Sequence, residues 1–352
     1  MIFDINLRLA PLLDGPPVPP QSLWQAACAS DDVTVKSWEN TWLGYTLENH
    51  RKFGFKETVN SELGKCNMQP VIIAGSGPSL KRNYMFLKPS ESLGADNKTM
   101  IEHHGRGDIK IVSCLHNFAF FEDSDIMTKD DYYLTLDSGD ITIREVYEGG
   151  VNPPEWYWER SKDRTLCCYI GTHPLLLEKW QGRVLWFTTP PQSEKIYKAT
   201  DKVFPYKDNS IFSVGGNALG ACLYMARGVL NCGPTIFIGA DFCFSYDSHF
   251  HAWNSPYDDM CRGTVDWTDI FGNRVQTWAS YLGFKKYFDF QACGGQGGNG
   301  QIFINATEGG ILGSYREGVI KQFLYMDLKT ALHTFNIRYR VPDAMKNCKY
   351  LF

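Results

Sequence analysis

Four apolar residues, Val71-Ile72-Ile73-Ala74, run directly into Gly75-Ser76-Gly77-Pro78-Ser79-Leu80, and no other stretch restricts the fold as strongly. An unbroken apolar run of this length suits a strand covered on both faces. Gly75 and Gly77 let the backbone turn tightly and approach a ligand closely, and Pro78 fits the first position of a helix. The stretch therefore reads as strand, glycine turn, helix. Unpaired N–H groups and the positive end of a helix dipole would point at the turn, which suits a phosphate. An ordinary strand-to-helix turn that binds nothing has the same residues, so both readings stand at this point.

From Pro70 onward short apolar runs alternate with polar or helical stretches, the rhythm of a mostly parallel sheet. The expected strands are Val71 to Ala74, Ile109 to Cys114, Tyr132 to Leu136, Thr165 to Ile170, Arg183 to Thr188 and Thr235 to Gly239. Between the last two, Ala218, Ala221, Cys222, Met225 and Val229 form an apolar stripe at helical spacing. The fold class this predicts is α/β: a Rossmann-like, mostly parallel sheet with helices on both faces, an N-terminal extension and a mainly helical C-terminal cap. The expected divisions are a partly helical extension over 1–69, a nucleotide-binding domain over 70–255 and a cap over 256–352, with a helix from Arg316 to Leu332. In the extension, Gln21 to Cys28 reads as helical after a proline-rich segment. Trp38, Trp42 and Tyr45 follow at helical spacing, as residues that pack the extension onto the sheet.

Composition narrows the partners. A 352-residue chain that is 43% hydrophobic and 21% charged can bury a substantial core. Its formal net charge of −4 gives no general attraction to nucleic acid, which is not the expected partner. Eleven cysteines without CxxC pairs speak against a disulfide framework or a zinc ribbon, and with no basic, apolar leader at the start the expected compartment is the cytoplasm. No stretch is apolar over a length that would span a bilayer.

In open parallel sheets the ligand crevice lies beyond the carboxyl ends of the strands, so polar residues just after each strand carry the most weight. His116 and Asn117 follow the second expected strand, Asp137 the third and Asp241 the sixth. Asn117 can both donate and accept, which suits a base edge or a ribose, or else a turn. Asp137 and Asp241 offer hard oxygens for Mg²⁺ on a diphosphate, the one cofactor the sequence suggests, or else helix caps. Gly215-Gly216-Asn217 opens the striped helix, a second helix end that would face the crevice. The segment after Asp241 carries Tyr246, His249 and His251, and either imidazole suits a general base. Asn305, Thr307 and Glu308 stand before a glycine pair as a wall of the site or as a capped turn.

Taken together and in order, Gly75 to Leu80, Thr135-Leu136-Asp137, Gly215-Gly216-Asn217, Gly239-Ala240-Asp241 with His251-Ala252, and Asn305 to Gly310 resemble the family of archaeal 6-hydroxymethylpterin diphosphokinase-like proteins and bacterial motility accessory factor glycosyltransferases. Asn117-Phe118-Ala119-Phe120-Phe121-Glu122-Asp123 is similar to a segment of bacterial sialyltransferases, although Ser76 stands where their turn carries Asn. The resemblance implies a nucleotide or nucleotide-sugar donor held by Gly75, Ser76, Gly77, Pro78, Ser79, Asn117, Asp137, Gly215, Gly216, Asn217 and Asp241. From the sialyltransferase likeness the donor would be of CMP type.

Three readings follow from the sequence. In the first, a nucleotide-sugar-dependent glycosyltransferase acts on an unidentified acceptor, with His251 or His249 taking the acceptor proton, Tyr246 stabilising the departing phosphate, and Asn305, Thr307 and Glu308 meeting the substrate. The second is a pyrophosphokinase, with Asp137 and Asp241 holding Mg²⁺ on ATP. The third is a nucleotide-binding accessory protein without turnover.

Overall fold

Unbroken apolar runs become buried strands here because each has sheet neighbours on both sides and helices above and below. The structure is a computed structural model that describes residues 9–17, 21–89, 105–191, 193–204, 210–245, 249–252, 263–294 and 302–339. Its strands are β1 (Leu12–Leu13), β2 (Val71–Ala74), β3 (Lys110–Cys114), β4 (Tyr132–Thr135), β5 (Thr165–Tyr169), β6 (Arg183–Phe187), β7 (Thr235–Ile238), β8 (Thr264–Thr268), β9 (Arg274–Trp278), β10 (Phe303–Asn305), β11 (Ser314–Tyr315), β12 (Gly318–Ile320) and β13 (Phe323–Tyr325). The helices are α1 (Gln21–Phe53), α2 (Leu80–Asn83), α3 (Phe118–Asp123), α4 (Ile141–Glu145), α5 (Pro154–Arg160), α6 (Pro174–Lys179), α7 (Glu194–Thr200), α8 (Ala218–Tyr224), α9 (Ala279–Ala292) and α10 (Leu328–Tyr339).

Eight strands form one sheet in the order β13-β10-β7-β2-β3-β4-β5-β6, and every pairing in it is parallel. All six strands expected from the sequence are present within a residue of their expected ends. The chain starts in the middle of the sheet at β2, steps outward to β6, then crosses back to β7 on the other side of β2. That reversal makes β2 and β7 the switch point, where the loops after two adjacent strands lead apart and leave a crevice.

The C-terminal region contributes α9 and α10 and extends the sheet as well. β10 and β13 add two parallel strands beyond β7, β8 and β9 form an antiparallel hairpin, and β12 pairs with β1 on one side and β11 on the other. The helix expected from Arg316 begins only at Leu328, because Val319, Ile320 and Phe323 are drawn into strand pairing and buried. At the N-terminal side, the expected short helix is one continuous α1 of 33 residues. Its C-terminal half is fastened to the sheet: the buried Asn49 amide donates to the carbonyls of Ile170 (3.0 Å) and Thr172 (2.8 Å), just past β5. Ser193 also donates to Glu39, and α1 packs along α9.

Two fully buried ion pairs sit away from the switch point. Arg106 meets Asp131 at 2.5 Å and also donates to the carbonyls of Leu87 and Ile126. Lys285 meets Asp289 at 2.5 Å, with the Tyr315 hydroxyl donating to the same carboxylate. Each charge is paired and hydrogen-bonded, the condition under which burial of an ion is tolerated.

Candidate functional site

Beyond the strand ends lies a cleft of about 800 Å³ that runs from β7 past β2 and β3 to β6. Its centre is set by three glycines. The Gly75 N–H donates to Ile238 and the Gly77 N–H to the Gly239 carbonyl (2.9 Å each), so the β2 and β7 chains remain paired past the strands. A Cβ on Gly75 would collide with the Gly239 oxygen, one on Gly77 with that oxygen and the Asp241 carboxylate, and one on Gly239 with the Gly75 oxygen. Only glycine permits two backbones to approach so closely.

The helix after the turn differs from the expected one. α2 is a single turn, and the place that an anion would take at its start is filled by a side chain of the protein itself. Asp241 accepts from the Ser79 hydroxyl at 2.7 Å and from the Ser79 N–H at 3.3 Å. Burial pushes the Asp241 carboxyl up to about 6, partly offset by these hydrogen bonds and by Arg82. Gly75, Ser76 and Gly77 line the cleft, while Ser79 is buried behind it.

Across the cleft, Gly215 (φ +59°) and Gly216 (φ +84°) lead into α8, and Asn217 caps that helix by accepting from the Gly220 N–H at 2.8 Å. All three line the cleft. The N–H groups of Ala218 and Leu219 lie in the first turn, where no intrahelical carbonyl can reach them.

His251 sits between these two walls. Its Nδ1 is 3.1 Å from the Ser76 hydroxyl, and the Ala252 N–H donates to the Ser76 carbonyl, so this loop is fastened to the glycine turn. Burial lowers the His251 pKa to about 4, partly offset by a hydrogen bond to the Ser76 backbone. The ring is therefore neutral at physiological pH. It packs on His116 with centroids 4.2 Å apart, and Phe250, Tyr281 and Phe284 continue an aromatic wall beside it.

Toward β4 the floor becomes acidic. His116 Nδ1 lies 3.9 Å from Glu145 and its Nε2 lies 4.0 Å from Glu148. Glu145 is recessed in the wall and 17% exposed; burial first, then the charges of Asp137 and Glu148, push its carboxyl up to about 8. It holds a proton at neutral pH. Above this floor, Trp38 and Trp42 of α1 close the cleft, with the Trp38 ring reaching over Gly139.

Several expected site residues lie elsewhere. Asn117 is fully buried, and its amide donates to the carbonyls of Gly75 (3.1 Å) and Ala74 and to Ser113, so it supports the turn from behind instead of reading a base. Asn305, Thr307 and Glu308 are not among the residues that line the cleft: Asn305 ends β10, beyond β7, and the other two follow it. The Asn305 amide donates to Leu312, and Glu308 accepts from Asn83 and from the Leu328 N–H at the start of α10, which is the capped-turn alternative. The His249 N–H donates to the Ser245 hydroxyl, and the His249 ring is not among the cleft lining. Tyr246 lies outside the described residues.

Asp137 and Asp241 are not drawn together as a pair of ligands. Both border the cleft, but their strands are three positions apart, about 14 Å at ordinary strand spacing. Each carboxylate is already engaged, Asp137 with the Gly139 N–H (2.8 Å) and Asp241 with Ser79. Among the described residues no three His, Cys, Asp or Glu side chains converge as a metal site would require.

Sequence reasoning missed Glu145, Glu148 and the cleft-facing role of Trp38 and Trp42. Glu145 ends α4 and Glu148 lies in the turn beyond it, so their approach to His116 depends on how that crossover packs.

An eight-stranded parallel sheet with a ligand-sized cleft at its switch point defines a doubly wound α/β protein. Within that class the chain belongs to the MptE-like family: the model described as 6-hydroxymethylpterin diphosphokinase MptE-like matches residues 45–247, more than half of the chain. Among solved structures it is similar in fold to the MAf glycosyltransferase from Magnetospirillum magneticum AMB-1, at 14% identity and a TM-score of 0.50. The match covers 81% of this chain and 40% of that one, so the chain spans about two fifths of that protein's length. No curated protein matches. Among the described residues no helix is long and apolar enough to cross a membrane.

Proposed function

We propose that the protein is a nucleotide-sugar-dependent glycosyltransferase whose donor lies at the β2–β7 switch point. The observation that carries this reading is His251, a neutral imidazole held 3.1 Å from the Ser76 hydroxyl between the glycine turn and the capped end of α8. The donor phosphate would meet Ser76, Gly77 and the first N–H groups of α8, where the helix end favours negative charge. The aromatic wall of Phe250, Tyr281 and Phe284 offers a face for the base. An acceptor oxygen attacks the anomeric carbon as the bond from that carbon to the phosphate oxygen breaks. The electron pair leaves with the phosphate, and the acceptor proton passes to His251. The negative charge of a bound donor would raise the basicity of this imidazole toward the useful range.

A second reading, transfer of diphosphate from Mg²⁺-ATP, is favoured by the description of the family model. It relied on Asp137 and Asp241 as a pair, and the strands that carry them stand three positions apart in the sheet, which gives it less support. The test is product analysis. Incubation with CMP-, UDP- and GDP-sugars in EDTA should release free nucleotide, and the His251→Asn variant should release about 10²-fold less or slower still. Release of AMP from ATP, in Mg²⁺ only, would establish the second reading instead.

A further inference from the structure

The donor accounts for only one end of the cleft. From His251 the floor continues past β3 to β5, and this second end is built differently: an acidic floor below and an indole roof above. We propose that this end, floored by His116, Asp137 and Glu145 and roofed by Trp38 and Trp42, is the acceptor subsite and takes a neutral saccharide ring. The proposal rests on the glycosyl-transfer reading above.

Three observations support it. The first is the roof. Trp38 is 36% exposed and its ring reaches over Gly139, while Trp42 lines the same end. A sugar ring has an apolar C–H face, and indole is the side chain best suited to cover one. These two residues precede position 45, where the match to the family model begins, so the roof is supplied by the part of α1 upstream of the matched region. It is also fixed in place by Asn49, Ser193 and the Lys52–Glu178 pair (2.5 Å).

The second is the floor. Glu145 retains its proton and can donate to a hydroxyl, whereas Asp137 can accept, and His116 stands between Glu145 and Glu148. Such a mixture of donors and acceptors matches a ring carrying several hydroxyl groups. The third is charge. Burial first, and then the charges of Asp137 and Glu148, raise the Glu145 pKa, so a carboxylate or phosphate on the acceptor would add to the repulsion that Asp137 and Glu148 already exert there. An anionic acceptor is therefore disfavoured, and the mixed donors and acceptors of the floor favour an uncharged, hydroxyl-bearing ring. His251 lies at the junction of the two ends, 4.2 Å from His116, where an acceptor hydroxyl and the donor would meet.

Ligand-observed NMR on the full chain tests this. The probes are neutral methyl glycosides of glucose, galactose and N-acetylglucosamine, an acidic control (the methyl glycoside of N-acetylneuraminic acid) and a serine-containing peptide. CMP and UDP binding is measured in parallel by calorimetry. At least one neutral glycoside should bind the wild type. Trp38→Ala should weaken that binding about tenfold, the loss of roughly one stacked ring, while Trp38→Phe restores most of it and nucleotide affinity stays within about twofold. Binding of no neutral glycoside, preference for the acidic sugar or the peptide, or binding indifferent to Trp38→Ala would each overturn the subsite. The two readings fail separately. Nucleotide binding without glycoside binding removes the subsite alone, and glycoside binding without any nucleotide binding removes the donor reading and leaves a saccharide site.

Discussion

Burial acts on Glu145 and His251 in the same way, by disfavouring charge, and leaves them in opposite roles. The carboxyl keeps a proton it would lose in water, and the imidazole refuses one it would take. Both shifts are stability statements. Glu145 is raised from 4.5 to about 8, so its contribution is fully present below pH 4.5 and is lost as pH rises toward 8. The loss is at most about 1.4 kcal/mol per pH unit in that window. Glu145→Gln should therefore gain in Tm relative to wild type between pH 5 and 8, which melting curves across that range would show. His251 is lowered from 6.5 to about 4, so its contribution is present above pH 6.5 and is lost as pH falls toward 4. His251→Asn should flatten the acid side of the same stability profile. A wild-type profile unchanged by either variant would mean that neither group is desolvated as described.

At the scale of elements, the glycine turn after β2 and the turn after β10 are both candidate parts of the site by sequence, and the structure separates them. The first is where two chains meet so closely that no side chain fits. Gly77→Ala would drive a methyl group into the Asp241 carboxylate, and a destabilisation of about 2 kcal/mol is expected, with a matching fall in Tm. The second is a cap. Glu308→Ala removes the acceptor for the Leu328 N–H, so it should cost about 1 kcal/mol and speed amide exchange at the start of α10. Nucleotide binding should be unchanged, whereas a wall of the site would lose it.

The elements that were legible had enough length to declare themselves. Val71 to Ala74 and Thr165 to Tyr169 are apolar or β-branched runs that need no partner to be recognised as strands. Phe303–Asn305 and Phe323–Tyr325 are three residues each, too short for any period, and become strands because β7 and β10 offer an edge. The site was legible in part for the same reason. Gly75, Gly77, Gly215, Gly216 and His251 stand in local patterns, and the structure brings them together around one cleft. The importance of Glu145 depends on α4 lying beside His116, a contact between separate crossovers that no local pattern encodes. Asn117 misled because a residue placed after a strand can face the cleft or support it from behind, and only the fold decides.

For the whole molecule, one parallel sheet whose winding reverses at β2 and β7 makes a crevice, which we propose holds a donor at one end and an acceptor at the other. The matched region supplies the glycine-lined end, and Trp38 and Trp42, in the part of α1 upstream of that region, cover the other. The most direct measurement is a thermal-shift panel of the wild-type chain with CMP, CDP, UDP, GDP and ATP, each with Mg²⁺ and with EDTA. A ligand of the folded state at about 100 times its Kd adds about 2.7 kcal/mol, a rise of a few degrees in Tm for a chain of this size. The account expects that rise for at least one sugar-carrier nucleotide, CMP first, and expects it to persist in EDTA. A rise with ATP and Mg²⁺ alone, or with none of the five, would contradict it.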